Sequence, residues 1–550
     1  LQHCVQGGFL VAERYHAAME KFFNTAGPNQ PDIHYTLLPK DRINWPELSG
    51  LMGARKYFIL HAPRQTGKTS LLINLMHFIN AQGQYRALYV NIEAAQAARS
   101  DVASGIATIV SAMGRAADIY WKDPSWSQLA WQEAQQAATQ GKDSLTAVLQ
   151  RWSLASDKPL IILLDEVDAL VGDTLISLLR QIRAGYAQRP EAFPQSMVLC
   201  GVRDVRDYRM HRPDGEIITG GSAFNIKSES IRLGDFTQND VKNLLQQHTD
   251  ATGQTFAPGV LEEIWDDTQG QPWLVNALAY EACFRKPEQR DRNQPVTVEQ
   301  MRQARESLIL RRDTHLDQLA DKLREPRVRH VVEPILAGLG GSEDLPDDDI
   351  QYCRDLGLIG LGRPLAIANR IYAEVIPRQL TWSTQETMVQ EQAWYLTPEG
   401  HMDMERLLTA FQQFFRENAE VWLERYAYKE AGPQLLLQAF LQRIVNGGGR
   451  IAREYGLGRG RTDLFLQWPL SPQGFLGPMQ QVVLELKIQH KGRAATLAAG
   501  LEQVARYADQ CGADSAHLLI FNRDPKVSWD DKIYQQQHTQ GQRTVSVWGM

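Results

Sequence analysis

The sequence predicts an α/β protein with two separate sheets, and three observations predict it. Between residues 56 and 235, apolar β-type runs alternate with helical stretches, the pattern of a parallel sheet with crossover helices. A glycine-lysine-threonine turn stands where the first of those runs meets the first helix. Far down the chain, a second β-rich region closes on Glu485-Leu486-Lys487 behind Gly460-Arg461-Thr462-Asp463. At 550 residues the chain is too long for one core, so about three or four domains are expected.

Residues 56–61 read as a buried strand, and 69–80 carry helical apolar spacing. Further β-type runs lie at 86–92, 160–164, 197–202 and 231–233. From 236 to 310 the pattern turns helical, punctuated by Gly270-Gln271-Pro272, which could start a helix near a ligand or be a plain turn. Short helices between 317 and 380, with a small hairpin over 358–367, have the order of a winged helix. Residues 381–392 are polar and without periodicity, as a linker is. Helices at 402–425 and 433–445 then precede β-type runs at 449–455, 462–468 and 482–488, a helix at 494–510, and strands at 517–522 and 544–548. The domains expected are an N-terminal segment (1–45), a nucleotide-binding core (46–235), a helical lid (236–310), a winged-helix-like module (311–380), a linker (381–399) and a C-terminal α/β domain (400–550).

The apolar share of 43% is that of a globular chain, and 58 basic against 64 acidic residues leave a net charge of −6. That balance excludes a polybasic coat for nucleic acid, so any such contact is local. Cys4, Cys200, Cys283, Cys353 and Cys511 are scattered and form no CxxC pair, which suits reduced thiols better than a disulfide frame or a zinc site. No stretch approaches the ~20 apolar residues of a membrane span, and no signal peptide is evident at the start. The expectation is a cytoplasmic protein without membrane contact.

The turn Ala62-Pro63-Arg64-Gln65-Thr66-Gly67-Lys68-Thr69-Ser70 offers backbone N–H groups and a helix start to phosphate oxygens. Lys68 would reach the β- and γ-phosphates and Thr69 would ligate Mg²⁺. Ala62 replaces the usual first glycine. The apolar run 160–164 ends in Asp165-Glu166, where Asp165 can hold Mg²⁺ and Glu166 can orient or deprotonate the attacking water. Arg203 sits where a γ-phosphate sensor would be placed; an exposed arginine pairing with Asp204 or Asp207 is the alternative.

With Phe23-Asn24-Thr25-Ala26-Gly27-Pro28, Leu164-Asp165-Glu166-Val167-Asp168 and Phe224-Asn225-Ile226-Lys227, these motifs resemble the AAA-like ATP-binding proteins of bacteria, relatives of the STAND-type signalling ATPases. The resemblance spans about residues 10–380. It implies a P-loop NTPase sheet with helical lid and winged helix, ATP binding and a nucleotide-dependent switch.

In the C-terminal domain, Glu485 and Lys487 are two apart on one strand and so share a face. Asp463 on a neighbouring strand could join Glu485 in holding Mg²⁺ against a scissile phosphate. Gln503 and Tyr507 are four apart on the next helix, on one side of it. Asp463, Glu485-Leu486-Lys487 and Gln503-Val504-Ala505-Arg506-Tyr507 resemble the PD-(D/E)XK nuclease superfamily, the last matching the QxxxY of its RecB-like branch. The resemblance implies catalytic roles for all five of Asp463, Glu485, Lys487, Gln503 and Tyr507, with Glu430 or Glu454 as the helix-borne acid. Arg450, Arg453, Arg459, Arg461, Lys491 and Arg493 flank these positions and could neutralise phosphates, although charge runs are more often solvated faces.

The expectation is an ATP- and Mg²⁺-dependent switch that controls a nuclease acting on nucleic acid, DNA before RNA, in a defence setting, with self-assembly into an oligomer. A non-catalytic STAND-type switch, whose C-terminal domain only binds a partner or nucleic acid, is the alternative. A transcription regulator acting through the winged helix is disfavoured by its few basic residues.

Overall fold

Strand β1 (Phe58–His61) is apolar on both sides because it runs in the middle of a parallel sheet. It pairs with β4 (Ser196–Gly201) on one side and with β7 (Glu229–Arg232) on the other, while β2 (Arg86–Asn91) and β3 (Leu160–Asp165) extend the sheet in the order β2-β3-β4-β1-β7. The computed structural model describes residues 20–140, 143–202, 210–211, 217–218, 229–311, 322–336, 345–380, 394–425, 437, 440–441, 449–457, 460–471, 474, 477–489, 492–522, 524 and 526–550. A two-residue ladder, β5 (Met210–His211) with β6 (Ile217–Ile218), lies between β4 and β7 in the chain. The chain divides into two compact units, one reaching Leu310 and including Asp355–Gly357, the other comprising Arg311–Arg354 and Leu358–Met550.

In the first unit both faces of the sheet are covered. Helix Lys68–Gln82 lays Leu72, Leu75, Met76 and Ile79 on Phe58, Leu60, Ile161 and Val198. The opposite face carries Ile59, Leu88, Ile162 and Leu164 under helices Val102–Trp121, Ser144–Ala155 and Gly172–Ala184. Trp121, Trp126 and Trp152 interlock edge to face there, their ring centres 4.9–6.0 Å apart. Contrary to expectation, Val102–Trp121 is long and apolar enough to cross a bilayer; half of its apolar window is buried, because it is a core helix packed on this sheet.

Beyond β7, Thr237 and Asp240 form a reciprocal capping box that starts helix Gln238–Thr252. Val260–Thr268, Pro272–Cys283 and Val298–Arg311 follow. Gly270 takes φ +77°, and a Cβ there would lie 2.0 Å from the Phe236 carbonyl oxygen, so only glycine fits. The backbone N–H of Phe236 donates to the Gly270 carbonyl at 2.8 Å, which ties the exit of the sheet to the start of the third helix.

The second unit contains helices Pro326–Leu336, Asp347–Asp355 and Arg370–Leu380. The hairpin expected over 358–367 is reduced to one isolated bridge, Ile359 with Ile367, because Gly360, Gly362 and Pro364 leave too few paired positions for a ladder. A six-stranded mixed sheet runs β12-β13-β11-β10-β9-β8, from β8 (Arg450–Leu457), β9 (Gly460–Pro469), β10 (Met479–Ile488), β11 (Ser515–Phe521), β12 (Tyr534–Gln540) and β13 (Arg543–Gly549). Strands β8, β9 and β10 are an antiparallel meander, and β11 lies parallel to β10 after the crossover helix Arg493–Cys511. That helix buries Val504, Tyr507 and Ala508 on Val483, Leu518 and Ile520. On the other face Phe411 and Phe415 of helix Met404–Arg425 pack on Phe521. Strand β12 was not expected from the sequence: Tyr-Gln-Gln-Gln-His-Thr-Gln is an exposed edge without apolar alternation. Residues 381–393 of the expected linker, Phe224–Lys227 and most of the helix expected at 433–445 lie outside the described residues.

Candidate functional site

The first site stands at the carboxyl ends of β1 and β3, where parallel sheets carry ligand chemistry. The loop after β1 folds by two left-handed residues, Gln65 (φ 58°) and Gly67 (φ 85°). Ala62 is not one of them: it is fully buried and donates its N–H to the Gly201 carbonyl at 3.2 Å. The missing glycine therefore carries no conformational cost. Thr66 Oγ1 donates to the Pro63 carbonyl at 2.8 Å and closes the turn. Lys68, 6% exposed, is folded into the loop and donates to the carbonyls of Ala62 and Pro63, each at 2.9 Å. Arg64 is on the exposed side of the loop.

Asp165 ends β3, wholly buried, and accepts three hydrogen bonds. Thr69 Oγ1 donates to its Oδ2 at 2.7 Å, Tyr89 OH to the same oxygen at 3.0 Å, and the Glu166 N–H to Oδ1 at 3.0 Å. Hydroxyl and carboxylate are thus side by side from two elements 96 residues apart. These are the hard oxygen donors Mg²⁺ takes. Glu166 adopts left-handed φ 61°, a strained conformation for this residue type, and its side chain makes no capping bond to the short helix Val167–Ala169. Burial first, then the neighbouring Asp168 and Asp165 carboxylates, push its carboxyl above the ordinary glutamate range, with Lys68 acting in the opposite sense. Arg203 lies outside the described residues.

Beside the phosphate loop opens a cavity of about 160 Å³. The segment Asn24–Asn29, Arg42, Phe236, Trp273 and Asn276 line it with Gln65, Gly67 and Ser70. Ser70 Oγ accepts the Asn29 N–H at 2.9 Å, pinning the N-terminal segment to the loop helix. Trp273 Nε1 donates to the Thr25 carbonyl at 2.8 Å, and Gln271, the cap of helix Pro272–Cys283, donates to the Gln65 carbonyl at 3.4 Å. The Arg42 guanidinium donates to the Gly234 carbonyl at 2.8 Å, reaches Thr66 O, and lies 4.6 Å over the Phe236 ring. Burial lowers its pKa to about 10. No local sequence signal marks Arg42 or Asn276 as site residues.

In the second unit Glu485 is fully buried on β10, and Lys487 Nζ donates to its Oε1 at 2.9 Å. The same ammonium donates to Gln503 Oε1 at 2.8 Å, and Gln503 Nε2 donates to Tyr507 OH at 3.3 Å. The structure therefore joins four of the five expected residues in one chain of hydrogen bonds between sheet and helix. Asp463 belongs to β9; the β9–β10 ladder reaches Leu464 with Leu484, and Asp463 and Glu485 are the next residues beyond that pair. The side chains of Asp463 and Glu454, together with Glu430, Arg459 and Lys491, lie outside the described residues. Among the described residues no three His, Cys, Asp or Glu side chains gather as a metal cage.

No curated protein matches the chain. Among solved structures it is similar to the Walker-type ATPase of Pyrococcus abyssi, at 14% identity over 64% of this chain and 99% of that one, with a TM-score of 0.43. It is also similar to the Cdc6p protein of Pyrobaculum aerophilum (15% identity, 66% and 97% covered, TM-score 0.35) and to the ORC2 protein of Aeropyrum pernix (14%, 63% and 97%, TM-score 0.34). Residues 56–291 match the AAA-like domain family. The matched stretch holds the parallel sheet, the phosphate loop and the first helices after β7.

Proposed function

We propose that the first unit binds and hydrolyses ATP with Mg²⁺, and that its nucleotide state controls a Mg²⁺-dependent nuclease in the second. The observation that carries the ATP reading is the contact of Thr69 with Asp165 at 2.7 Å, directly beyond Lys68 and beside a cavity. Thr69 and Asp165 would hold the metal, which when bound neutralises phosphate charge. Lys68 would exchange its two loop carbonyls for phosphate oxygens. Glu166, its carboxyl raised by burial, can take a proton from water nearer neutral pH than an ordinary glutamate.

The nuclease reading is supported by the element order of the second unit: meander β8-β9-β10, helix, then β11 parallel to β10, with Glu485, Lys487, Gln503 and Tyr507 linked on the helix-covered face. Glu485 and Asp463 would hold Mg²⁺ against a phosphodiester, and Lys487 would position the attacking water. The substrate proposed is DNA, the setting defence in a cytoplasm, and an oligomer the assembled form. A second reading, a STAND-type switch whose C-terminal domain binds nucleic acid without cutting it, is favoured by the Lys487–Glu485 ion pair, which already neutralises one candidate metal ligand.

The test is cleavage of single- and double-stranded DNA and RNA with and without Mg²⁺ and ATP. Metal-dependent cleavage that Lys487→Ala abolishes, with ATP binding intact, supports the nuclease. Binding of nucleic acid without cleavage under all conditions gives the second reading instead.

A further inference from the structure

Two hydroxyls meet one oxygen of Asp165, and the metal chemistry above uses only one of them. Thr69 Oγ1 and Tyr89 OH both donate to Oδ2, at 2.7 and 3.0 Å, while Oδ1 takes the Glu166 N–H. Thr69 stands in the first turn of helix Lys68–Gln82 and would turn a lone pair to the metal. Tyr89 comes from β2, outside the phosphate loop.

Alternation along the strands puts Ala87 and Tyr89 of β2, with Leu163 and Asp165 of β3, on the face covered by helix Lys68–Gln82. Tyr89 pairs with Leu163, so its side chain spans two residues along the strand to reach Asp165. It is buried and fixed from two sides. Its N–H donates at 3.3 Å to Met76 Sδ of that same helix, and its ring stands edge-on to Tyr120 with the centres 6.4 Å apart. A phenylalanine would satisfy this packing; what the hydroxyl adds is the bond to Asp165.

A carboxylate held at both oxygens by a helix, a neighbouring strand and the following N–H cannot rotate without breaking a charge-assisted bond. When Thr69 is drawn towards the metal, Tyr89 remains as the side-chain anchor of Oδ2. Mg²⁺ demands near-ideal octahedral placement of its donors, whereas Ca²⁺ accepts a larger and more flexible shell. The orientation of Asp165 therefore matters greatly for the first ion and little for the second.

We propose that Tyr89 is a positioning residue of the phosphate site, its hydroxyl holding the Asp165 carboxylate in the orientation Mg²⁺ requires, so that the site prefers Mg²⁺ to Ca²⁺. This rests on the ATP and Mg²⁺ reading above.

The experiment is calorimetric titration of the full chain with ATP alone, with ATP and Mg²⁺, and with ATP and Ca²⁺, for wild type, Tyr89→Phe and Tyr120→Phe. Wild type is expected to gain more affinity from Mg²⁺ than from Ca²⁺. In Tyr89→Phe the gain from Mg²⁺ should fall at least about fivefold, with the gain from Ca²⁺ and the metal-free affinity within about twofold of wild type. Tyr120→Phe keeps the ring contact and the Tyr89 hydroxyl, and should match wild type throughout. An unchanged Mg²⁺ gain in Tyr89→Phe overturns the assignment. So do equal falls in the two metal gains, loss of metal-free binding, or equal losses in the two variants, which are the signs of a merely structural tyrosine. None of these touches the metal reading while wild type responds to Mg²⁺. Identical ATP affinity of wild type with and without Mg²⁺ overturns that reading, and the role of Tyr89 with it.

Discussion

Replacing Asp165 by asparagine separates the structural from the metal-binding part of the phosphate site. The carboxylate is wholly buried and accepts from Thr69, Tyr89 and the Glu166 N–H at 2.7, 3.0 and 3.0 Å. Asparagine has one acceptor oxygen: turned one way its amide meets the Glu166 N–H donor to donor, turned the other way both hydroxyls must reverse. Bonds to a charged acceptor are worth ~1.5–3 kcal/mol against ~0.5–1.5 for neutral ones, so weakening three of them costs up to several kcal/mol. Relief of a buried carboxylate offsets part of this. A net local loss of about 1–3 kcal/mol at the end of β3 is expected, small enough to leave the domain folded. Amide hydrogen exchange across β2, β3 and β4 reads that loss strand by strand. Titration with ATP, with and without Mg²⁺, reads the metal: wild-type affinity should rise with Mg²⁺ and that of Asp165→Asn should not. An unchanged Mg²⁺ response in the variant would refute the placement of the metal between Thr69 and Asp165.

Glu166→Gln should bind ATP but turn it over roughly a hundredfold or more slowly, as loss of a general base does, which phosphate release measures. The same variant tests the raised carboxyl. A group with a higher pKa folded than unfolded binds more protons in the fold, so its contribution to stability is present at low pH and lost as pH rises through the folded value. Wild type and Glu166→Gln should therefore melt alike near pH 4, with the variant the more stable at pH 7–8; the reverse ordering would contradict the raised pKa. Gly270→Ala should destabilise the helices after β7 by about 2–3 kcal/mol, from the left-handed backbone cost and the loss of the Phe236–Gly270 hydrogen bond. Faster exchange over residues 236–283 is the expected sign, and wild-type protection there would show that the turn at Gly270 tolerates a side chain.

The nucleotide loop was legible because its chemistry is local: a turn, a lysine and a helix start lie within nine residues, and Asp165 ends an unbroken apolar strand. The register that sets Thr69 against Asp165 follows once β1 and β3 lie in one parallel sheet. The cavity was legible only in part: Asn24–Gly27, Gln65, Gly67, Ser70 and Pro272 belong to motifs visible in the sequence, whereas Arg42 and Asn276 do not. Arg42, Asn276 and the segment Asn24–Asn29 come together from three distant stretches, and neither an isolated arginine nor an asparagine inside a helix carries a pattern. The link from Glu485 through Lys487 and Gln503 to Tyr507 could be anticipated from i+2 and i+4 spacing, since each pair shares a face. Strand β12 could not, because an exposed glutamine-rich edge has no apolar period to detect. Helix Val102–Trp121 is the opposite case: its apolar length marks a membrane span and a core helix equally, and only the packing decides.

Lys68 is proposed to organise an ATP site in the first unit. In the present fold Lys68 Nζ is held by Ala62 O and Pro63 O, and Pro63 O keeps the Thr66 hydroxyl when the lysine is removed. Lys68→Ala should thus remain folded while losing its phosphate-binding cation. Titration calorimetry of wild type and Lys68→Ala with ATP and Mg²⁺ is the most direct measurement. At least a tenfold loss of affinity, about 1.4 kcal/mol, is predicted. Equal affinities in the two proteins, or no binding by wild type, would contradict the account.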